Sequence, residues 1–325
     1  MKKNSLFFYV GFFVFFMILG LLLPEWMRYT LTVALCKAFV VLGIVLLMRN
    51  GLVSFGHALY FAFSAYSIAF ASRLLGITDV FLLLVIGLIS GATISYLIGL
   101  LVSRYREIYF AMITMAFSMA FYGVLVKAYG VTGGTDGLHI PTPTLLGIVL
   151  SPADWRLVNY YLALLVLATA VFFLVRLVDS PFGFLIKAVK QNEIRVSYLG
   201  GVVNKVVLQA FVISGALSGL GGALITFNLG HIDPHLSYWT ISGEFVFIAL
   251  FSGIGNIYAA IGGAIIIEFV RTYAFKYAPF TWQMILGIIM LAVIMYSPGG
   301  LWEIIQRIGK RYFTRGASTG GLKDG

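Results

Sequence analysis

The chain has 325 residues, 61% of them hydrophobic and only 10% charged, with a mean hydropathy of +0.99. A soluble domain of this length has too little interior to hide that much apolar surface, so the composition requires the lipid bilayer as solvent. The formal charge of +10 comes from Lys and Arg scattered at the ends of apolar runs, which is a membrane-topology pattern and excludes a nucleic-acid footprint.

Met1-Lys2-Lys3 and the apolar run from Leu6 to Leu23 have the charge and core of a secretory signal. Pro24-Glu25-Trp26 stands where a small-x-small cleavage site would be, so the run is expected to remain as a first span. At about 20 mostly apolar residues per crossing, spans are expected near 6–23, 30–48, 58–75, 80–102, 108–127, 158–177, 206–227, 240–256, 258–274 and 281–297. The expected fold is all-α, a polytopic membrane helix bundle of about 8–10 transmembrane helices forming a single domain over residues 1–325. Only the turn-like Gly253-Ile254-Gly255-Asn256 divides the eighth and ninth spans, and a re-entrant pair is the alternative there.

Ten crossings put both termini on one side. On that assignment fifteen of the 22 Lys and Arg fall on the amino-terminal side and six on the other, with Lys37 left inside a span. Cytoplasmic loops retain positive charge, so both termini are expected in the cytoplasm. Cys36, the single cysteine, lies within an apolar run; no disulfide or Cys-based metal site is possible, and it reads as packing. The fourth span carries Gly87, Gly91, Ser95 and Gly99, and the seventh Gly215, Gly219 and Ala223, two small-residue stripes suited to close helix packing.

After the second span, glycines interrupt the apolar sequence at Gly51-Leu52-Val53-Ser54-Phe55-Gly56-His57. Broken backbone at membrane depth must be lined by protein or water and often marks a pathway, which makes Gly51, Ser54, Gly56 and His57 translocation-path candidates. The bland reading of His57 is a side chain that satisfies a backbone group at a helix start. Lys37, Glu107, Glu244 and Glu268 lie within or near spans, where each charge needs a partner or water; Glu244 joins the path candidates.

Two polar connections stand out. The external one, 129–157, contains Thr132-Gly133-Gly134-Thr135-Asp136-Gly137. Without a Gly-Lys-Ser/Thr ending or a preceding strand it reads as a shaped turn rather than a phosphate cradle, and Thr132, Gly133, Gly134 and Asp136 are external docking candidates. The cytoplasmic one, 178–205, opens a helix at Ser180-Pro181-Phe182-Gly183. Leu185, Val189, Val196 and Leu199 are expected on one face of it, with Lys187, Lys190, Gln191 and Asn192 opposite, and Gly200-Gly201 closing the run. Such a helix lies on the membrane surface or in the groove of a partner. Residues 298–325 form an expected cytoplasmic tail.

No Gly-x-x-x-x-Gly-Lys-Ser/Thr, His-Glu-x-x-His or Gly-x-Ser-x-Gly occurs, so no nucleotide site, metal site or catalytic residue is expected and the chain does not read as an enzyme.

In sequence order, Gly51 to Ala58, Tyr109-Phe110-Ala111, Thr132-Gly133-Gly134, Ser180-Pro181-Phe182-Gly183 with Asn192-Glu193 and Leu199-Gly200, Phe211 to Leu224, Gly253-Ile254-Gly255-Asn256 and Ser297-Pro298-Gly299-Gly300-Leu301 resemble the LivM-type permease of branched-chain amino-acid ABC transporters. The resemblance implies the bundle of a type II ABC importer permease in a bacterial inner membrane. It also implies a second related permease, two ATPase subunits that bind the ATP-Mg, and an external substrate-binding protein; no cofactor is expected on this chain. By the same resemblance 178–205 is the coupling loop, and Leu185, Val189, Glu193, Arg195, Leu199 and Gly200 are candidate ATPase contacts. Arg195 and Ser197 depart from the alanines common there. Nothing in the apolar spans reads out an α-amino or carboxylate group, so urea, short amides or sugars stay open as substrates. An ion-coupled secondary transporter or channel using Glu244, Glu268 or Lys37 is the alternative of another class.

Overall fold

The computed structural model describes residues 3–296, 299–301 and 303. Most of the expected tail, 298–325, therefore lies outside the described residues. The described chain is helical almost throughout. In order it forms α1 (Lys3–Leu22), α2 (Glu25–Arg49), α3 (His57–Leu74), α4 (Val80–Val102), α5 (Glu107–Lys127), the short α6 (Tyr129–Thr132) and a two-residue strand β1 (Leu138–His139). There follow α7 (Pro152–Val178), α8 (Pro181–Gln191), α9 (Glu193–Tyr198), α10 (Val203–Leu229), β2 (His231–Ile232), α11 (Trp239–Ser252), α12 (Ile257–Tyr277) and α13 (Trp282–Tyr296). Each expected span coincides with a helix. Six of them, α2, α4, α5, α7, α10 and α12, are long and apolar enough to cross a membrane. The sixth span begins earlier than hydropathy suggests, because Ser151 caps α7 by accepting from Asp154 N and Pro152 occupies its first turn.

Helix α2 is the axis of the bundle: every residue from Thr30 to Met48 is buried, with α10, α12, α7 and α11 around it. Lipid tails are as apolar as leucine, so this burial gains little from the hydrophobic effect; close van der Waals approach and interhelical hydrogen bonds hold such helices together. The two small-residue stripes meet. A Cβ on Gly91 would stand 2.7 Å from Gly215 O and 2.8 Å from Gly219 Cα, so α4 and α10 touch backbone to backbone. Ser64 on α3 fastens this contact, its hydroxyl 2.7 Å from Gly219 O and 3.1 Å from Gly87 O.

Contacts sort the connections between the two ends of the bundle. At one end Lys190 donates to Met48 O, Arg49 to Gly255 O and Arg106 to Glu193, which gathers the ends of α2, α4 and α11 with α8 and α9. At the other, β1 pairs antiparallel with β2, Trp155 Nε1 donates to Phe227 O, and Arg156 lies 3.5 Å from Glu25.

Two segments break the regular pattern inside the bundle. The first, between α2 and α3, carries buried Ser54 and places Phe55 N on Thr114 Oγ1, at the second turn of α5. The second runs from β2 to α11. Ser118, at the middle of α5, donates to Ser237 O at 2.8 Å. Helix α11 has 14 residues, about 21 Å at 1.5 Å per residue, short of the roughly 30 Å of a hydrocarbon core. A 3-10 turn, Pro234–Ser237, precedes it. Between 238 and 273 the chain thus forms two separate helices, the first beginning within the bundle.

Candidate functional site

The starts of α3 and α11 lie against each other. Gly56 offers no side chain to cap α3, and Ser242 of α11 takes that role by accepting from Ala58 N at 2.9 Å. His57 is fully buried, with Nε2 2.6 Å from the hydroxyl of Ser214 on α10. Its Nε2 therefore bonds a side chain of a neighbouring helix. Of the path candidates, Ser54, Gly56 and His57 are enclosed: Ser54 Oγ accepts from Gly56 N, and a Cβ on Gly56 would meet Thr114 O at 2.8 Å. Gly51 is exposed and turns the chain at φ +82°, beside Lys190.

Glu244 behaves differently. Lys37, on the axial helix, donates to Glu244 Oε1 at 2.7 Å and to Glu268 Oε2 at 2.6 Å, joining α2, α11 and α12. Arg271, one turn beyond Glu268 on α12, places Nη1 3.4 Å from Glu244 Oε1 and 3.9 Å from Glu268 Oε2. Two cations face two carboxylates, the compensation that charged groups at this depth require. The Lys37 and Glu268 side chains are 8% exposed, whereas that of Arg271 is 30% exposed and stacks on Trp282, its Cζ 5.2 Å from the ring centroid.

The open side of this cluster is a cavity of about 320 Å³ among Phe55, Trp239, Glu244, Phe247, Arg271 and Leu286, with Trp282 and Gly287 also on its wall. Arg271, near the end of the ninth expected span, is thus on the cavity wall although sequence reasoning did not single it out. Its signal was the spacing Glu268–Arg271, three apart on one helix face. The cavity wall carries one anion, Glu244, and one cation, Arg271.

Of the external docking candidates, Thr132 and Gly134 are buried, Gly133 is half-buried and Asp136 is exposed. Thr132 is buried and donates to Leu125 O at 2.6 Å, and Gly134 N donates back to its hydroxyl. Gly133 turns at φ +73° and leaves no room for a Cβ against Gly137 O. The motif is a knot that delivers β1 to β2. Asp136 is exposed and accepts from Tyr129 Oη at 3.0 Å, which holds that phenol above its ordinary pKa.

The connection 178–205 is two helices rather than one. Asn192 leaves α8 with φ −163° and caps α9 by accepting from Arg195 N, so the helical phase restarts. Val189 and Val196 are buried in the chain's own core and Leu185 is half-buried, whereas Leu199 and Gly200 are exposed; the four apolar residues do not share one outward face. The exposed apolar surface is instead Phe184, Ile194, Tyr198 and Leu199. Glu193 is engaged within the chain, accepting from Arg106 Nε at 2.6 Å, and Arg195 is exposed.

Among known proteins, residues 26–294 match the family described as branched-chain amino acid transport system / permease component. The chain is 27% identical to the high-affinity branched-chain amino acid transport system permease protein LivM of Salmonella typhimurium, over 81% of this chain and 67% of that protein. The corresponding protein of Escherichia coli is likewise 27% identical, over 82% of this chain and 68% of its own length. A probable branched-chain amino acid transport permease protein LivM of Methanocaldococcus jannaschii is 26% identical over 74% and 73%. No solved structure matches. With most of its helices inside the matched region, this multi-pass membrane chain belongs to the permease component family of branched-chain amino acid transport systems.

Proposed function

We propose that the chain is one of two related permease subunits of an ATP-driven importer for branched-chain and other hydrophobic amino acids. Two separate ATPase subunits would bind ATP-Mg, and an external binding protein would deliver the substrate. The observation that carries this reading is the match over residues 26–294 to a family of branched-chain amino acid permeases. The exposed apolar face of α8 and α9 supports it, because Phe184, Ile194, Tyr198 and Leu199 have no cover within the described chain and suit the groove of a partner subunit. By sequence that end of the bundle holds most of the positive charge, which supports a cytoplasmic side for it and for both termini. ATP binding would close the ATPases and move the docked helices, carrying the permease pair between outward-open and inward-open states as rigid bodies. The balanced Lys37, Arg271, Glu244 and Glu268 cluster suits a structural and binding role better than an ion-coupling relay, since each carboxylate already has a cation.

The test is uptake of radiolabelled leucine into proteoliposomes that hold this chain, its sister permease and the ATPases, with the binding protein supplied outside. Uptake that needs ATP and every subunit is expected. ATP-driven uptake of urea or a sugar but not leucine would change the substrate, and uptake by this chain alone would overturn the mechanism. In the same system Leu199→Asp is expected to strip the ATPases during purification, while Val189→Asp, at a buried position, should lower the yield of folded permease.

A further inference from the structure

We infer that the cavity between α11, α12 and α13 recognises the backbone groups of the transported amino acid, Arg271 taking the α-carboxylate and Glu244 the α-ammonium; the inference rests on the importer reading above. The four-charge cluster divides into two layers. Lys37 and Glu268 are 8% exposed and do not line the cavity, whereas Glu244 and Arg271 do. Lys37 holds both carboxylates at 2.6–2.7 Å and so anchors them from the axial helix. Arg271 approaches the same carboxylates only through Nη1 and only at 3.4 and 3.9 Å. A guanidinium has five N–H donors in a flat fork matched to a carboxylate, and Arg271 presents that fork over the Trp282 ring, its Cζ 5.2 Å from the centroid. Both cations address Glu244 through Oε1, which leaves Oε2 for a third donor.

Net charge narrows the ligand. Two cations and two anions already cancel, so a lone cation or anion would leave an uncompensated charge at membrane depth, where charge is costly. A zwitterion adds one of each. Phe247, Ile267 and Leu286 supply apolar wall for its side chain, and about 320 Å³ lies within the range of small-molecule sites, roughly 300–1,000 Å³. Gly243 and Gly287 keep the space open: a Cβ on either would meet nothing within 4 Å. Ion pairing that merely glued α2 to α11 and α12 would account for Lys37 and Glu268, but not for an arginine held loosely at the wall of a cavity.

The experiment uses the complete transporter in lipid nanodiscs without the binding protein. Equilibrium binding of radiolabelled L-leucine is measured, with L-leucinamide and 4-methylpentanoate, each lacking one charge of the zwitterion, as competitors. Unlabelled leucine is expected to displace the label at concentrations where neither half-ligand does. Arg271→Gln is expected to weaken leucine binding tenfold or more, and Gly287→Phe, which fills the cavity and leaves the ion cluster intact, to abolish it. Should Arg271→Gln fail to assemble, Gly287→Phe decides alone. Retained leucine binding by either assembled variant, displacement by a half-ligand as effective as by leucine, or no binding to the parent complex would overturn the inference. ATP-driven leucine uptake by the parent complex, measured alongside, separates this failure from that of the importer reading.

Discussion

His57 and Glu244 belong to helices whose first turns touch, and each is a polar side chain in an apolar span, yet their surroundings differ in kind. His57 is closed in on all sides and bonded to one neutral hydroxyl. Glu244 faces two cations of unlike freedom and the wall of a cavity. Sequence treats both as costly groups that need a reason. Structure gives them opposite reasons: a neutral pin between α3 and α10, and a charge network with one side left open.

The largest expected effect tests the network. Lys37→Met leaves two buried carboxylates facing only the loosely placed Arg271, and removing one partner of a buried pair costs about 3–5 kcal/mol. A sharp fall in melting temperature of the detergent-purified chain is expected, with partial recovery when Glu244→Gln and Glu268→Gln are added. Equal stability of Lys37→Met and the parent would show that the carboxylates are satisfied by other means. The pin comes next. His57→Phe removes one bond and leaves the Ser214 hydroxyl to find another partner, a loss of about 1–3 kcal/mol. Transport per folded molecule is expected to stay near the parent value, and a selective loss of transport would return His57 to the pathway. The smallest effect belongs to the part-exposed pair at the α8 end: Glu193→Ala removes a contact with Arg106 worth about 0.2–1 kcal/mol. A drop in ATPase association well beyond that in stability would make this pair the contact that sets the angle of α9.

The helices were legible because each crossing needs a long apolar run, and because runs such as Val80–Val102 end where Asp79 caps and polar residues resume. The facing stripes of Gly91 and Gly219 were legible as stripes but not as partners, since small-residue spacing does not say which helix lies opposite. Faces were misread where one backbone angle mattered: Asn192 resets the phase between Val189 and Leu199, and hydrophobic periodicity carried across it points inward and outward at once. The charge network was half legible. Lys37, Glu244 and Glu268 stood out as unpaired; their pairing, over 207 and 231 residues, is a fact of the folded bundle alone.

Those separations also set an order of events during synthesis. At about 5–20 residues per second, α2 enters the bilayer roughly ten to forty-five seconds before the carboxylates that will neutralise its ammonium are made. A lone lysine at the centre of a span opposes insertion by about 2.5–3.5 kcal/mol, and the 25-residue length of α2, almost all of it apolar, carries the charge through that interval. The nascent chain therefore holds a loaded helix in waiting, and the arrival of α11 and α12 is the step that closes the axis and commits the bundle to its final arrangement.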